Sequence, residues 1–323
     1  MKIIVLAGGD SPEREVSLRS GIAVSKALIT LGHSVTIIDP VKPPTSRYFQ
    51  NETELIEAFN ETEQQPSSPF HLHPLTVDVL KTADTVFPAL HGGIGEDGRL
   101  QAIMECHGIS FTGSSSVACA LSMNKALCKE LYERTGIKTP LYTVCTKSQK
   151  RTPIPPCYPC VVKPVSGGSS IGVTVVHLPS ALSPAIETAM KECDTVIMEE
   201  LIVGRELSVS VLCDRPLAVT EIIPKSAFYD FSSKYAKDGA REITPAPLPE
   251  KIYAKALKVA LNAHRALGMR NFSRTDLILE SNSLSLYALE TNALPGLTET
   301  SILPNAARSQ GISFTKLIEM MLR

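Results

Sequence analysis

The pattern that decides the fold lies at the start of the chain, where residues 2–39 read KIIVLAGGDSPEREVSLRSGIAVSKALITLGHSVTIID. The apolar run at 2–7 predicts a short buried strand, and the glycine pair after it predicts a turn. Apolar residues then recur near helical spacing as far as Gly32, and residues 34–39 predict a second strand. A strand, a helix and a second strand indicate parallel pairing, so this stretch predicts an α/β fold that opens with a parallel sheet.

The rest of the chain continues to alternate strands and helices between glycine and proline turns. Strands are predicted at residues 85–90, 160–163, 172–177, 195–200, 206–212, 217–223, 275–280 and 285–292, and helices at 52–60, 117–134, 181–191, 250–267 and 314–322. We place domain boundaries after residues 113 and 198, which gives an N-terminal α/β domain (1–113), a central domain (114–198) and a C-terminal domain (199–323).

Composition excludes several classes of protein. The 323 residues carry 33 acidic and 32 basic side chains, a balance that argues against a nucleic-acid-binding protein. No apolar run approaches the length of a membrane-spanning helix or a signal-peptide core, so we expect a cytoplasmic protein with no membrane partner. In that compartment the eight cysteines are expected to be reduced thiols. Cys157 and Cys160 form a C-x-x-C, but no second pair has metal spacing, so we expect ordinary buried or surface thiols.

Three oxygen-bearing side chains near the C-terminus form the clearest candidate site. Residues two apart on a strand share a face, so Glu290 and Asn292 project together and a hairpin partner brings Asp276 beside them. Two carboxylates and an amide oxygen suit Mg²⁺ better than zinc. The alternative is a solvent-facing polar strand. Leu286 and Ala288 argue against it, because a strict period of two places these apolar residues on the same face.

A glycine- and serine-rich loop is the second candidate. Residues 163–172 read KPVSGGSSIG, with a leading lysine and with glycines that allow a close approach of the backbone to an anion. The stretch is not a Walker A loop, since G-x-x-x-x-G-K-[ST] is missing. A flexible surface hairpin is the alternative. Together with the acidic face, however, the loop favours a nucleoside triphosphate whose phosphates bind both the loop and metal ions.

Several single features remain open on their own. Glu13, in the predicted first turn, has either a binding role or the ordinary role of stabilising the helix dipole. Arg274 shares the strand face of Asp276 and could neutralise a developing negative charge, or it is a surface or ion-pairing arginine. His91, beside two glycines, could be structural. The polar tract at 228–235 is compatible with a mobile flap and with a plain surface loop.

Taken together, these motifs closely resemble those of the D-alanine–D-alanine ligases, members of the ATP-grasp superfamily. The resemblance spans essentially the whole chain, in order. It rests on residues 8–17 (GGDSPEREVS), 90–98 (LHGGIGEDG), 122–125 (SMNK), the 163–172 loop, 234–235 (KY) and 289–301 (LETNALPGLTETS). Several long motifs in the right order are far more specific than any one of them.

The resemblance implies a three-domain ATP-grasp architecture with an N-terminal Rossmann-like domain. It implies a reaction in which ATP phosphorylates the carboxylate of one D-alanine and the amine of a second attacks the acyl phosphate. The product, D-alanyl-D-alanine, is a precursor for peptidoglycan in the cell wall. The family also implies two Mg²⁺ ions, for which Mn²⁺ can substitute, and a homodimer.

Residue roles follow from the resemblance by motif position. The implied catalytic set is Glu13, Ser169, Tyr235, Arg274 and Gly296. The implied ATP contacts are Lys125, Lys163, Ser170, Glu199, Glu200, Ile202, Glu206 and Lys234. The implied substrate contacts are Glu13, His91, Arg274, Gly296, Ser301 and Ile302. The implied metal ligands are Asp276, Glu290 and Asn292.

Three residues depart from the family pattern: Asn124 replaces an aspartate beside the ATP-contacting lysine, Ile94 stands where a small or polar residue is usual, and Thr275 where an apolar one is usual.

Two competing functions also remain. The first is a related ligase that makes D-alanyl-D-lactate or D-alanyl-D-serine, which the 234–235 pair disfavours because it resembles the dipeptide-forming flap. The second is a non-catalytic nucleotide-binding protein, which the intact metal-binding set disfavours.

Overall fold

The computed structural model describes residues 1–44, 48, 53–54, 72–149, 151–224 and 240–322. In this part of the chain the strands form three sheets, of three, four and five strands. The predicted helix at 52–60 and the tract at 228–235 lie largely or wholly outside the described residues. Within the described ranges, no helix is both long and apolar enough to cross a membrane.

The N-terminal sheet confirms the prediction of a parallel α/β opening. Its strands are β1 (Lys2–Leu6), β2 (Ser34–Ile38) and β3 (Thr85–Pro88), and its helices are α1 (Arg14–Thr30), α2 (Thr76–Leu80), α3 (Gly93–Glu96) and α4 (Arg99–Cys106). The strand order is β2-β1-β3 and both pairs are parallel. β1 is buried along nearly its whole length, as expected for a central strand covered on both faces.

One predicted helix is wrong, because the helix expected at 117–134 is two helices. They are α5 (Ser116–Met123) and α6 (Lys125–Arg134), separated by Asn124 with an extended backbone. The side-chain oxygen of Asn124 accepts hydrogen bonds from the backbone N–H groups of Ala126 and Leu127, at 3.2 and 3.1 Å. An asparagine that caps a new helix ends the previous one, and a continuous apolar pattern does not reveal that break.

The four-stranded sheet contains β4 (Tyr142–Thr146), β5 (Cys160–Pro164), β6 (Thr174–Val176) and β7 (Thr195–Glu200), with helix α7 (Leu182–Ala189) packed on it. Its order is β4-β7-β5-β6, and all its pairs are antiparallel. β4 was not predicted from the sequence. The 163–172 loop joins β5 to β6, which form an antiparallel hairpin; the sequence predicted the two flanking strands but not their pairing.

The five-stranded sheet contains β8 (Gly204–Leu212), β9 (Arg215–Pro224), β10 (Ala240–Ile243), β11 (Phe272–Glu280) and β12 (Leu286–Asn292), in the order β10-β9-β8-β11-β12. The accompanying helices are α8 (Glu250–Ala266), α9 (Ile302–Ser309) and α10 (Phe314–Met321). Helix α8 buries Ala256, Ala260 and Ala263 against one face, which leaves the opposite face of the sheet to carry polar side chains. β10 and α9 were not predicted.

Candidate active site

The polar face of the five-stranded sheet brings together the predicted metal ligands. Its cross-strand rows over β8, β11 and β12 are Ser208–Asp276–Glu290 and Ser210–Arg274–Asn292. Asp276 therefore lies directly opposite Glu290, and Arg274 opposite Asn292. The hairpin register confirms the predicted convergence of these side chains.

A β-bulge shapes this face. Asp276 pairs with Glu290, whereas the next residue, Leu277, pairs with Ala288, so the pairing skips Leu289. A bulge of this kind puts two residues of one strand opposite one residue of its partner and reverses the alternation of side chains beyond it. Leu289 and Glu290 consequently both line the same cavity.

The bulge overturns one expectation from the sequence. Leu286 and Ala288 do not share the face of Glu290 and Asn292. They are buried in the core that lies under helix α8. The prediction that these two apolar residues share that face is therefore wrong, because a strict period of two holds only where the pairing is regular.

Arg274 and Asp276 form a two-pronged ion pair. Nε and Nη2 of Arg274 donate to the two carboxylate oxygens of Asp276 at 2.9 and 2.8 Å. Asp276 also accepts hydrogen bonds from Ser208 Oγ at 2.7 Å and from Asn292 Nδ2 at 3.2 Å. Burial disfavours the charged guanidinium, but the neighbouring Asp276 outweighs it and raises the pKa of Arg274, so the arginine stays charged.

The donor set of this face fits a hard divalent cation. Asp276 and Glu290 offer carboxylate oxygens from facing positions, and Asn292 adds an amide oxygen on the same side. Among the described residues, no group of three or more His, Cys, Asp or Glu side chains could hold a metal. A site here would thus rest on two carboxylates, one amide and oxygens from a bound ligand, which is how Mg²⁺ commonly binds in phosphate sites.

Two lysines approach this region from the four-stranded sheet and the α5–α6 junction. Lys125 Nζ donates to the carbonyl oxygen of Gly167 at 2.6 Å and lies 3.4 Å from Glu290 Oε2. Lys163 Nζ lies 2.9 Å from Glu199 Oε1. Burial disfavours the charge of Lys163, but Glu199 and Glu290 outweigh it and raise its pKa. Lys163 is therefore positive, and both lysines line the cavity that the glycine-serine loop borders.

A third lysine, which the sequence reasoning missed, completes a buried cluster. Lys129 Nζ lies 3.3 Å from Glu199 Oε1 and donates to Thr139 Oγ1 at 2.6 Å. Burial lowers the pKa of Lys129 to about 8, while Glu199 opposes the shift. The two lysines in turn outweigh burial and lower the pKa of Glu199. Nothing local in the sequence marks Lys129, since it reads as one more charged residue of a helix.

The glycine-serine loop contacts the N-terminal part of the chain. Ser169 Oγ donates to Glu13 Oε1 at 2.5 Å. Ser169 and Ser170 both have positive φ, 52° and 59°, so the loop holds two ordinary residues in the left-handed region. A Cβ on Gly168 would lie 3.1 Å from Glu13 Oε2, so the loop backbone packs tightly against the Glu13 carboxylate. Tyr235 and Lys234, which the resemblance places in the catalytic set and among the ATP contacts, lie outside the described residues.

His91 is buried and uses both ring nitrogens. Nδ1 lies 3.0 Å from the carbonyl oxygen of Leu294, and Nε2 lies 3.0 Å from Ser20 Oγ. A carbonyl only accepts, so Nδ1 carries the proton and Nε2 accepts from the serine hydroxyl. Burial lowers the pKa of His91, which favours this neutral ring. His91 therefore lines the cavity and also ties two distant segments together.

Glu96, which the sequence reasoning did not single out, is buried in the same cavity wall. Its two carboxylate oxygens accept the backbone N–H groups of Gly92 and Leu294, each at 3.1 Å. Burial, and to a lesser extent the charge of Glu13, raises the pKa of Glu96 to about 7. The only signal in the sequence was its place in the 90–98 motif, which says nothing about the distant partner.

The predicted second-substrate residues lie at the end of the 289–301 motif. A Cβ on Gly296 would come within 2.8 Å of Ser301 Oγ, so a larger residue here would have to displace the Ser301 side chain. Ser301 Oγ accepts the backbone N–H of Thr298 at 3.1 Å and lies 2.7 Å from the Thr298 hydroxyl. Ser301 immediately precedes helix α9, whose first residue is Ile302. The motif thus ends at a helix start that faces the cavity.

Two adjoining cavities collect these side chains. The first, of about 350 Å³, is lined by Glu13, His91, Glu96, Arg274, Gly296, Ser301, Ile302 and Asn292 among others. The second, of about 460 Å³, is lined by Lys163, Ser170, Glu199, Glu200, Ile202 and others. Both share Lys125, Ser169, Glu206, Asp276 and Glu290. Every predicted site residue in the described part of the chain therefore lines one of the two cavities.

Comparison with known proteins agrees with this arrangement. Residues 2–114 match the family model described as D-ala D-ala ligase N-terminus, and residues 131–323 match D-ala D-ala ligase C-terminus. The D-alanine–D-alanine ligase of Syntrophotalea carbinolica is 39% identical over 99% of this chain and 95% of its own length. That of Paramagnetospirillum magneticum is 38% identical over 99% of this chain and 97% of its own length.

Solved structures give the same result. A D-alanine–D-alanine ligase from Bacillus anthracis, complexed with ATP, has a TM-score of 0.78 and 27% identity, and the match covers 100% of this chain and 96% of that one. The VanG D-Ala:D-Ser ligase from Enterococcus faecalis has a TM-score of 0.78 and 27% identity, over 99% of this chain and 98% of that one. The architecture is therefore that of the ATP-grasp ligases. Sequence, family models and fold agree, and the chain belongs to the D-alanine–D-alanine ligase family.

Proposed function

We propose that this protein is an ATP-dependent ligase that joins two D-alanines into D-alanyl-D-alanine, for the synthesis of peptidoglycan precursors. The observation that carries the proposal is the convergence of the described motif residues on two adjoining cavities, in a chain of this family. One cavity suits a nucleotide and the other a small zwitterion. The reaction requires these two ligands to be in contact.

The larger cavity is the proposed ATP site. Ile202, Ile278 and Leu289 supply apolar walls for a flat base. Lys125 and Lys163 bring positive charge to the side where the two cavities meet, which suits the triphosphate. Glu199, Glu200 and Glu206 supply acceptors for base and ribose donors, and Ser170 adds loop contacts to the phosphates.

Asp276, Glu290 and Asn292 are the proposed ligands for two Mg²⁺ ions. Bound Mg²⁺ would supply charge neutralisation where a triphosphate meets a carboxylate. The carboxylate of Asp276 is already oriented, because Ser208 Oγ and the guanidinium of Arg274 both donate hydrogen bonds to it. Mn²⁺ prefers similar oxygen ligands and is expected to substitute.

The smaller cavity is the proposed amino-acid site. Glu13 attracts the ammonium group of the first D-alanine, and His91 lies beside it in the cavity wall. The carboxylate of that substrate then attacks the terminal phosphorus of ATP and releases ADP. A carboxylate is a poor acyl donor, and the acyl phosphate that forms has a good leaving group.

The second D-alanine is proposed to bind beside Ser301 and Ile302, with its carboxylate held by Ser301. Its amine attacks the acyl phosphate, and negative charge develops on the carbonyl oxygen. Arg274 and the N–H of Gly296 are proposed to stabilise that oxyanion before phosphate leaves. The Ser169–Glu13 contact, joined by Tyr235, is proposed to close the loop over the site and exclude water, which would hydrolyse the intermediate.

The predicted boundaries after residues 113 and 198 and the homodimer remain proposals. The three-stranded and five-stranded sheets each fall within one proposed domain, which supports the division, but β7 of the four-stranded sheet (Thr195–Glu200) crosses the proposed boundary after residue 198. The need for ATP favours the cytosol as the compartment of the reaction.

The deciding experiment measures ADP and phosphate release by the purified protein with ATP and Mg²⁺, with and without D-alanine, and identifies the product by mass spectrometry. D-alanine-dependent release with the dipeptide as product is expected, and L-alanine serves as the control. If ATP binds but D-alanine gives no turnover, the proposal fails.

The same assay also tests for D-alanyl-D-serine and D-alanyl-D-lactate, because a similar structure is named a D-Ala:D-Ser ligase. D-serine and D-lactate compete with D-alanine at neutral pH, and the mixed products are separated by mass. We expect D-alanyl-D-alanine to dominate. A dominant mixed product would assign the chain to the related activity.

A further inference from the structure

The backbone of Leu294 is held at both its N–H and its carbonyl oxygen by buried side chains of the 90–98 motif. Its N–H donates to Glu96 Oε1 at 3.1 Å, and its carbonyl oxygen accepts from His91 Nδ1 at 3.0 Å. These partners are 198 and 203 residues away along the chain. A loop of the C-terminal sheet is therefore oriented by side chains that follow a strand of the N-terminal sheet.

A second contact fixes the far side of the same loop. The N–H of Leu297 donates to Ser20 Oγ at 3.3 Å, and that hydroxyl lies 3.0 Å from His91 Nε2. Pro295, between the two anchored residues, has a fixed φ. With Leu294 and Leu297 both held, little freedom remains for Gly296, whose N–H is proposed to meet the developing oxyanion.

Glu96 is suited to this task by its chemistry. Its carboxyl group has two oxygens, and each accepts one backbone N–H, from Gly92 and from Leu294. The carboxylate therefore joins the turn that starts α3 to the loop that carries Gly296. It faces the charged groups Glu13 and Arg274 within the same cavity.

We propose that Glu96 is a positioning residue that acts through Leu294 and aims the N–H of Gly296 at the reacting carbonyl. The inference rests on the proposed function, since it concerns the second step of that reaction. A small displacement of an oxyanion donor costs rate without loosening a remote ligand. Glu96 and Leu294 do not line the nucleotide cavity, so the effect on ATP should be small.

The test is Glu96→Gln, which keeps the size of the side chain but leaves one oxygen and turns an NH₂ group toward a backbone N–H. We expect kcat to fall about tenfold to a hundredfold. The KM for ATP should stay within about twofold and the melting temperature within a few degrees. The matched control is Glu105→Gln, because Glu105 also accepts a backbone N–H, from Ser116 at 3.0 Å, but lines neither cavity. Its kcat should not change.

A second variant covers the case in which Glu96→Gln does not fold. Ser20→Ala removes the anchor of Leu297 with the loss of a single oxygen atom, and we expect the same selective loss of kcat, smaller in size. Unchanged kcat in folded Glu96→Gln, or in Ser20→Ala if the first variant is unfolded, would overturn the inference. So would an equal rise in the KM for ATP, which indicates a general structural role. An inactive wild-type protein would instead count against the proposed function.

Discussion

Arg274 and Asp276 lie two residues apart on β11, and the guanidinium of the first grips both carboxylate oxygens of the second, at 2.9 and 2.8 Å. The planar fork of an arginine matches the plane of a carboxylate, so the pair holds Arg274 in one orientation along the cavity wall. A positive charge held in place in this way needs no reorganisation when negative charge develops beside it.

Replacement of Arg274 by lysine should therefore cost rate even though the charge remains. A lysine cannot form the fork, so Arg274→Lys is expected to lower kcat by about a hundredfold, with a smaller change in the KM for ATP. Steady-state kinetics of ADP release measure both. The matched control is Arg265→Lys, which breaks a similar two-pronged pair with Asp214 on the surface. If both variants lose rate alike, the role assigned to Arg274 is wrong.

The Mg²⁺ requirement should depend on Glu290. Glu290→Gln replaces a carboxylate by a neutral amide, so we expect about tenfold more Mg²⁺ for half-maximal activity and a lower maximal rate. A titration of ADP release against Mg²⁺ measures the shift, and a chelator should abolish activity in the unaltered protein. Glu299→Gln, at an exposed position that lines neither cavity, should match the unaltered protein. A Glu290→Gln titration that overlays the unaltered one would remove Glu290 from the metal site.

The buried cluster of Lys129, Glu199 and Lys163 should matter for stability as well as for ATP. Lys129→Met leaves Glu199 with one lysine in a buried site, which is expected to lower the free energy of unfolding by about 3 kcal/mol. Urea unfolding of the variant and of the unaltered protein measures this difference in free energy. Lys147→Met breaks an exposed ion pair with Asp194 and should cost less than about 1 kcal/mol. Equal losses in the two variants would contradict the importance of burial.

Stability should fall in mild acid because of a buried histidine far from the site. His264 is 3% exposed, its Nδ1 lies 2.7 Å from Ser273 Oγ, and burial lowers its pKa to about 4 from 6.5. Between pH 4 and pH 6.5 the His264 ring binds a proton in the unfolded chain but not in the folded chain. Its contribution to the free energy of unfolding is therefore fully present above pH 6.5 and is lost as the pH falls toward 4. The contribution of His264 is about 2 kcal/mol between pH 7 and pH 5.

Urea unfolding at these two pH values tests the assignment. His264→Gln should reduce the loss of stability in acid by that amount, whereas His107→Gln, at an exposed position, should leave it unchanged. His91 is also buried and its pKa is also lowered, so part of the acid sensitivity should persist in the first variant. The assignment fails if His264→Gln is as acid-sensitive as the unaltered protein.

Particular elements show why some features were predictable. The convergence of Asp276 with Glu290 and Asn292 follows from a short hairpin and the alternation of strand side chains, both local properties. The bulge at Leu289 was not predictable, because it depends on how β12 packs against both its neighbour and the core. The helix break at Asn124 was equally hidden, since an asparagine is tolerated within a helix and becomes a cap only where the chain turns.

Short-range patterns were sufficient for the parallel α/β opening, the glycine-serine loop, the acidic hairpin face and the family. These depend on residue types at fixed spacings, which the chain displays directly. The hydrogen bond from the Leu294 N–H to Glu96 and the ion pair of Lys129 with Glu199 could be identified only in the folded molecule. Their partners are far apart in sequence, and they become neighbours, with buried charges and matched hydrogen bonds, only after the three sheets have packed around one cleft.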